Sequence, residues 1–170
     1  MNLIKPTTEL KQKALEYRQA HFDHSERSIE GDNGFDEAET YEAWLAHLEK
    51  VEAGDHEYLI PSSTYFAMID DEIVGVVDIR HRLNDFLLKS GGHIGYSVHP
   101  LERRKGYATK ILHLALEKCS RLGIAKALVT CNKENVGSQK TILHNAGVLE
   151  DEYVCENASV TLRYWIELEK

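Results

Sequence analysis

The chain has 170 residues, 42% hydrophobic and 28% charged, with a formal net charge of −8. A single domain spanning 1–170 is expected, and one of this size buries roughly 70% of its unfolded surface, so it needs no disulfide or metal staple. The acidic balance disfavours a general nucleic-acid binder, which requires a basic face to displace counterions.

In chain order, Asn2 to Lys5 is a short strand. Thr8 to Ala20 is predicted as a helix, with Leu10, Ala14 and Tyr17 on one stripe. His21 to Asp36 is polar and holds Gly31 and Gly34, a loop pattern. Tyr41, Trp44, Leu45 and Leu48 recur at i, i+3, i+4, i+7 and mark a second helix. The period then changes: Tyr65 to Ile69 and Ile73 to Ile79 are rich in β-formers and flank Asp70-Asp71, a hairpin turn. Asn84 to Gly91 is a loop, and His93 to Val98 a third strand closed by Pro100. The strongest helix is Tyr107 to Leu122, with Ala108, Ile111, Leu112, Ala115, Cys119 and Leu122 as its buried stripe and Gly123 at the C-cap. Ala127 to Cys131 is an apolar strand. A helix from Val136 to Ala146 follows, with Asn135 as N-cap. Val148 to Cys155 and Ser159 to Leu168 are two final strands. The strand–helix–strand unit in the middle calls for one parallel pair and a right-handed crossover.

Cys119, Cys131 and Cys155 are odd in number and form no CxxC spacing, so reduced thiols in a cytoplasmic protein are expected. No apolar run approaches the ~20 residues of a membrane helix, so no membrane partner is expected. His21-x-x-His24 and His56-Glu57 lack a third ligand, and no metal is expected.

The informative segment is His99 to Thr109. Arg103, Gly106 and Ala108 are spaced as R-x-x-G-x-A between a strand and an amphipathic helix. The first turn of that helix has free N–H groups and the positive end of the dipole. Gly106 leaves room for a phosphate to approach, and Arg103, Arg104 and Lys105 add charge, so a pyrophosphate fits. Neither the P-loop nor the Rossmann spacing is present.

This loop resembles the acetyl-CoA-binding motif of the GNAT superfamily, Q/R-x-x-G-x-G/A. The element order matches, and Asn132, Asn135 and Ser138 stand where the family has an Asn after the strand and Asn-x-x-Ser opening the next helix. The resemblance runs from about Tyr65 to the C-terminus. It is closer to a bacterial group of predicted acetyltransferases through Arg80-His81-x-Leu83-Asn84, Gly91 to Tyr96, and Arg163-Tyr164-Trp165-Ile166. It implies an α/β GNAT fold, a twisted mixed sheet of six or seven strands flanked by about four helices, with acetyl-CoA as co-substrate. The pantetheine would pair with backbone at Tyr96, Ser97 and Val98. The pyrophosphate would sit at Arg103, Arg104, Lys105, Gly106, Tyr107, Ala108 and Thr109, with Asn132, Asn135 and Ser138 at the thiol end.

Catalytic residues do not transfer directly. The family's tyrosine position falls on Ile142 or Leu143, and its strand carboxylate on Gly92. His93 is the substitute base, since its ordinary pKa near about 6.5 suits proton uptake; the alternative is a hydrogen bond to the Arg80–Asn84 loop. Tyr96, Tyr153 or Tyr164 would protonate the thiolate, with sheet packing as the alternative. Cys131 is a nucleophile or a small buried hydrophobe. Trp44 and Trp165 are expected to line the core or a pocket. The acidic runs Glu26–Glu39 and Glu49–Glu57 point to a cationic amine, on a small molecule or a peptide or protein. A non-catalytic CoA-binding module, another acyl donor and another nucleotide stay open. So does a homodimer, in which the final strand would pair with its copy.

Overall fold

The computed structural model describes residues 1–168. The β-rich middle folds as expected. β2 (Ser62–Ile69) and β3 (Glu72–Arg80) form a hairpin through Asp70 and Asp71, both at positive φ. β1 (Asn2–Ile4) pairs with β2, and β4 (Ile94–Val98) pairs with β3, all antiparallel. β2 begins earlier than the apolar pattern shows, because Ser62, Ser63 and Thr64 pair with Arg80, Ile79 and Asp78.

A second antiparallel sheet has the order β5–β7–β6, from β5 (Lys126–Asn132), β6 (Val148–Val154) and β7 (Val160–Glu167). The expected single mixed sheet is therefore split between β4 and β5, and all the ladders formed by the described strands are antiparallel. The cause lies just ahead of β4. His93 N–H donates to Leu128 C=O (2.7 Å), but Leu128 N–H donates to the His93 side chain at Nδ1 (2.9 Å). A side-chain atom takes the place of a backbone acceptor, and no ladder continues from there among the described residues. The final strand is also not an edge. β7 lies between β5 and β6, so both its sides are already paired and it cannot take up a partner's strand.

Two cores sit on opposite faces of the first sheet. α3 (Tyr107–Arg121) buries Ile111, Leu112, Ala115, Leu116 and Cys119 against Val77, Ile79, Ile94 and Val98, and this core continues into Ala127 and Val129. Leu122, expected in that stripe, is 47% exposed because the helix ends before it. On the other face, α1 (Lys11–Asp23) and α2 (Tyr41–Ala53) pack Tyr17, Tyr41 and Trp44 on Phe66 and Val76, joined by Phe35 from the loop between the helices. Thr40 caps α2 by accepting from Ala43 N–H (3.1 Å). α1 runs past Ala20, so His21 continues the Ala14–Tyr17 stripe and is fully buried rather than a loop residue. α4 (Val136–His144) follows β5.

Among the described residues no helix is long and apolar enough to cross a membrane, and no group of three or more His, Cys, Asp or Glu converges as a metal site.

Candidate active site

The split between the sheets is a wedge, and the β4 register decides what faces it. Arg80 N–H bonds to His93 C=O and His99 N–H to Val74 C=O. Antiparallel pairing alternates, so Gly95 and Ser97 turn their backbone groups toward β3, while Ile94, Tyr96 and Val98 turn theirs toward the wedge. Tyr96 thus turns both its N–H and C=O toward the wedge, and Val98 its N–H, since its C=O accepts from Arg103 Nε (3.2 Å). Ser97 does not: its backbone pairs with β3, and its hydroxyl meets Tyr17 Oη on the opposite face (2.9 Å).

Beyond Val98 the chain makes a short turn capped by His99, whose Nδ1 accepts from Leu101 N–H (3.2 Å). Arg104 (φ 66°) and Gly106 (φ 80°) are both left-handed. Gly106 is the N-cap of α3, and the helical ladder begins with Lys110 N–H to Gly106 C=O. The N–H groups before Lys110 have no intrahelical partner. A Cβ on Gly106 would meet nothing within 4 Å, so the glycine fronts open space.

Two of the three expected cations are engaged elsewhere. Arg103 forks onto Glu26 (2.6 and 2.9 Å) and donates through Nε to Val98 C=O (3.2 Å). Glu26 also takes His21 Nδ1 (2.7 Å), and Arg103 and His21 together hold its carboxyl below the ordinary range. Arg103 is therefore a strut between this loop and the end of α1. Lys105 pairs with Glu102 (2.8 Å), and Arg104 is exposed. Sequence spacing cannot show this, because Glu26 lies 77 residues away.

At the far end of the wedge, Tyr96 Oη reaches from β4 to Ser138 Oγ on α4 (3.0 Å). Burial pushes its hydroxyl up to about 12, so it stays protonated at neutral pH. The Cys131 thiol is buried and pushed up by desolvation, which suits a packed side chain rather than a nucleophile. Ile142 is core and Leu143 is exposed, so neither marks a hidden proton donor. Asn135 caps α4 by accepting from Ser138 N–H (2.9 Å), and Asn132 accepts from Glu134 N–H (2.8 Å). Both shape the β5–α4 turn with their carbonyl oxygens.

His93 is poorly suited to the role of base. It is 6% exposed, its Nδ1 already accepts from Leu128, and burial with the Arg80 charge lowers its pKa to about 4. It joins the sheets. The bond to the Arg80–Asn84 loop also differs from expectation, since Arg80 meets His93 through backbone.

A cleft of about 400 Å³ opens on the α1/α2 side of β3. Its floor was not legible in the sequence: Asp78, with Ser62, Asn33 and Arg80. Asp78 accepts from Thr64 Oγ1 (2.9 Å) and Asn33 Nδ2 (3.4 Å). The available signal was a carboxylate interrupting the apolar run Ile73–Ile79. The loop over the cleft touches β4 at Gly31, where a Cβ would sit 2.2 Å from Gly95 O, so only glycine fits. Within the expected acidic runs, Glu26 pairs with Arg103 and Glu52 with Lys5, and Asp32 accepts from Gly34 and Asp36 N–H.

A family model described as "Acetyltransferase (GNAT) family" matches residues 15–147. No curated protein sequence matches the chain significantly. Among solved structures, the chain is similar to RimL, a ribosomal L7/L12 alpha-N-protein acetyltransferase in complex with coenzyme A. The identity is 14%, over 98% of this chain and 93% of that one, with a TM-score of 0.72. It is also similar to the microcin C7 self-immunity acetyltransferase MccE in complex with acetyl-CoA and AMP (16% identity, 98% and 91% covered, TM-score 0.67). A mutant spermidine N-acetyltransferase SpeG from Vibrio cholerae is a third (16%, 98% and 95%, TM-score 0.65). At such identities the likeness establishes the fold.

Proposed function

The chain belongs to the GNAT acetyltransferase family, and on that premise we propose that it transfers the acetyl group of acetyl-CoA directly to a primary amine. The observation that carries this reading is the wedge. Backbone groups of Tyr96 and Val98 face it, the open α3 N-terminus lies beyond one end, and a protonated tyrosine spans the other. The pantetheine would pair along Tyr96 and Val98. The pyrophosphate would lie on the N–H groups of residues 104–109 with Arg104 beside it. The chain acts throughout as one domain.

In the reaction the neutral amine attacks the thioester carbonyl carbon, a C–N bond forms and the C–S bond breaks. Backbone N–H groups of β4 that face the wedge stabilise the oxyanion. Tyr96 Oη is placed to give its proton to the departing thiolate, and Ser138 Oγ orients it. The amine's own proton leaves to water.

Thermal unfolding with acetyl-CoA, followed by thiol release on adding amines, tests the proposal. Ligand at about 100 times its Kd adds about 2.7 kcal/mol, which is several degrees for this chain. Absence of a shift at millimolar acetyl-CoA refutes the donor site. A shift without thiol release from any amine would leave a non-catalytic CoA-binding module, the reading that the missing family tyrosine favours.

A further inference from the structure

We propose that His93 sets the length of acyl group that the donor site accepts: its ring closes the narrow end of the wedge, so the site takes acetyl-CoA and rejects thioesters of longer carboxylic acids. This inference rests on the donor placement proposed above and names which donor the site selects.

The wedge narrows to a single junction. His93 divides its backbone between the two sheets. Its C=O accepts from Arg80 N–H of β3 (2.8 Å), and its N–H donates to Leu128 C=O of β5 (2.7 Å). Its ring fills the place of the next backbone acceptor, with Nδ1 taking Leu128 N–H (2.9 Å). Immediately afterwards the pairing stops: among the described residues no backbone hydrogen bond joins Ile94, Tyr96 or Val98 to β5. Leu128 turns its backbone to this side of β5, so by alternation Thr130 does too. The open wedge therefore begins directly after His93, between Ile94 and Tyr96 on β4 and Thr130 on β5.

A ligand lying along β4 runs toward this junction. With the pyrophosphate at the start of α3, beyond Val98, the pantetheine arm follows β4 from its C-terminal end toward its N-terminal end. From phosphate ester to sulfur the arm has the bond count of about four residues, and at about 3.3 Å per residue that reach brings the thioester to the stretch Ile94–Tyr96. The acyl carbons come last and point at His93. Acetyl adds one methyl carbon there, whereas a butyryl or hexanoyl chain has to pass the ring.

The stop is rigid. His93 is buried, and so are Ile94 and Leu128 beside it. The segment leading into it is tied from both sides. Arg80 Nη1 donates to the C=O of Gly91 (2.9 Å) and Gly92 (3.2 Å), and Thr130 Oγ1 donates to the C=O of Ser90 (2.9 Å). A Cβ on Gly92 would lie 2.7 Å from Leu128 O, so the backbone already touches β5 there. Swinging the ring aside would leave Leu128 N–H without its acceptor, and close-packed neighbours give way only at a cost.

Calorimetric titration with CoA, acetyl-CoA, butyryl-CoA and hexanoyl-CoA, with no amine present, tests this without knowledge of the acceptor. Each affinity is read relative to free CoA in the same protein. In wild type, hexanoyl-CoA should bind at least about tenfold more weakly than acetyl-CoA, with butyryl-CoA between them. An open site would give the reverse order, because the longer chain buries more apolar surface. His93→Ala should bring acetyl-CoA and hexanoyl-CoA within about threefold of each other. Equal or tighter binding of hexanoyl-CoA by wild type overturns this inference and leaves the donor site standing, and so does a discrimination that survives intact in His93→Ala. Absence of binding by every one of these ligands overturns the donor site and the inference together. Should His93→Ala fail to fold, His93→Asn decides, since it keeps an acceptor for Leu128 in a smaller side chain. Hexanoyl-CoA should then gain at least about threefold on acetyl-CoA, and no gain overturns the inference.

Discussion

His93 supplies a test of the fold that does not depend on the reaction. Its ring is neutral, and its Nδ1 accepts from Leu128 N–H where the two sheets meet, so protonation breaks that bond and leaves a buried charge near Arg80. The folded pKa is about 4, against about 6.5 for an unfolded histidine. The unfolded chain therefore binds the proton first as pH falls. Stability is full above about pH 6.5 and is lost progressively down to about pH 4. Between pH 7 and pH 5 this one residue should cost about 2 kcal/mol, a decrease of about 4–8 °C in Tm for a chain of this length. The assay is thermal unfolding by circular dichroism at both pH values for wild type and His93→Asn, which offers an acceptor oxygen but does not titrate. His21, His47, His81 and His99 are also shifted down, with the same sign in both proteins, so the difference between the two drops isolates His93. Equal drops in both proteins would refute the account of how the sheets are joined.

Four further variants, at three positions, probe the donor half. Gly106→Glu should abolish the thermal shift with acetyl-CoA. Gly106→Ala should keep it while costing about 1 kcal/mol of stability, since its Cβ meets open space and only the left-handed backbone is strained; equal loss in both would mean that the phosphate does not lie there. Glu26→Gln frees the Arg103 guanidinium from its carboxylate, so acetyl-CoA should bind several-fold tighter by calorimetry, and weaker binding would show that the strut instead organises the loop. Tyr96→Phe should lower kcat by about 100-fold with little change in KM for acetyl-CoA, in the range of general-acid removals. An unchanged kcat would exclude Tyr96 from the proton transfer.

The sequence by itself determined the element order, the hairpin at Asp70-Asp71, and the helix that starts at Gly106. Each rests on local signals: a period of two or 3.6, a turn dipeptide, a glycine at a helix start. The resemblance to the family rested on motifs equally short in the chain, the Arg103–Ala108 loop and the Asn132–Ser138 stretch. Tertiary structure decided what those residues do. Arg103 stands in the motif, but a glutamate 77 residues earlier claims its guanidinium. His93 has a titratable ring, but Leu128 fixes its tautomer and burial removes its basicity. Asp78 sits in an apolar strand, and only in space do Asn33 and Thr64 bind its Oδ1 and Arg80 stand 3.7 Å from its Oδ2 beside a cleft. Hydrogen-bond partners and desolvation depend on distance in space, which spacing along the chain does not encode.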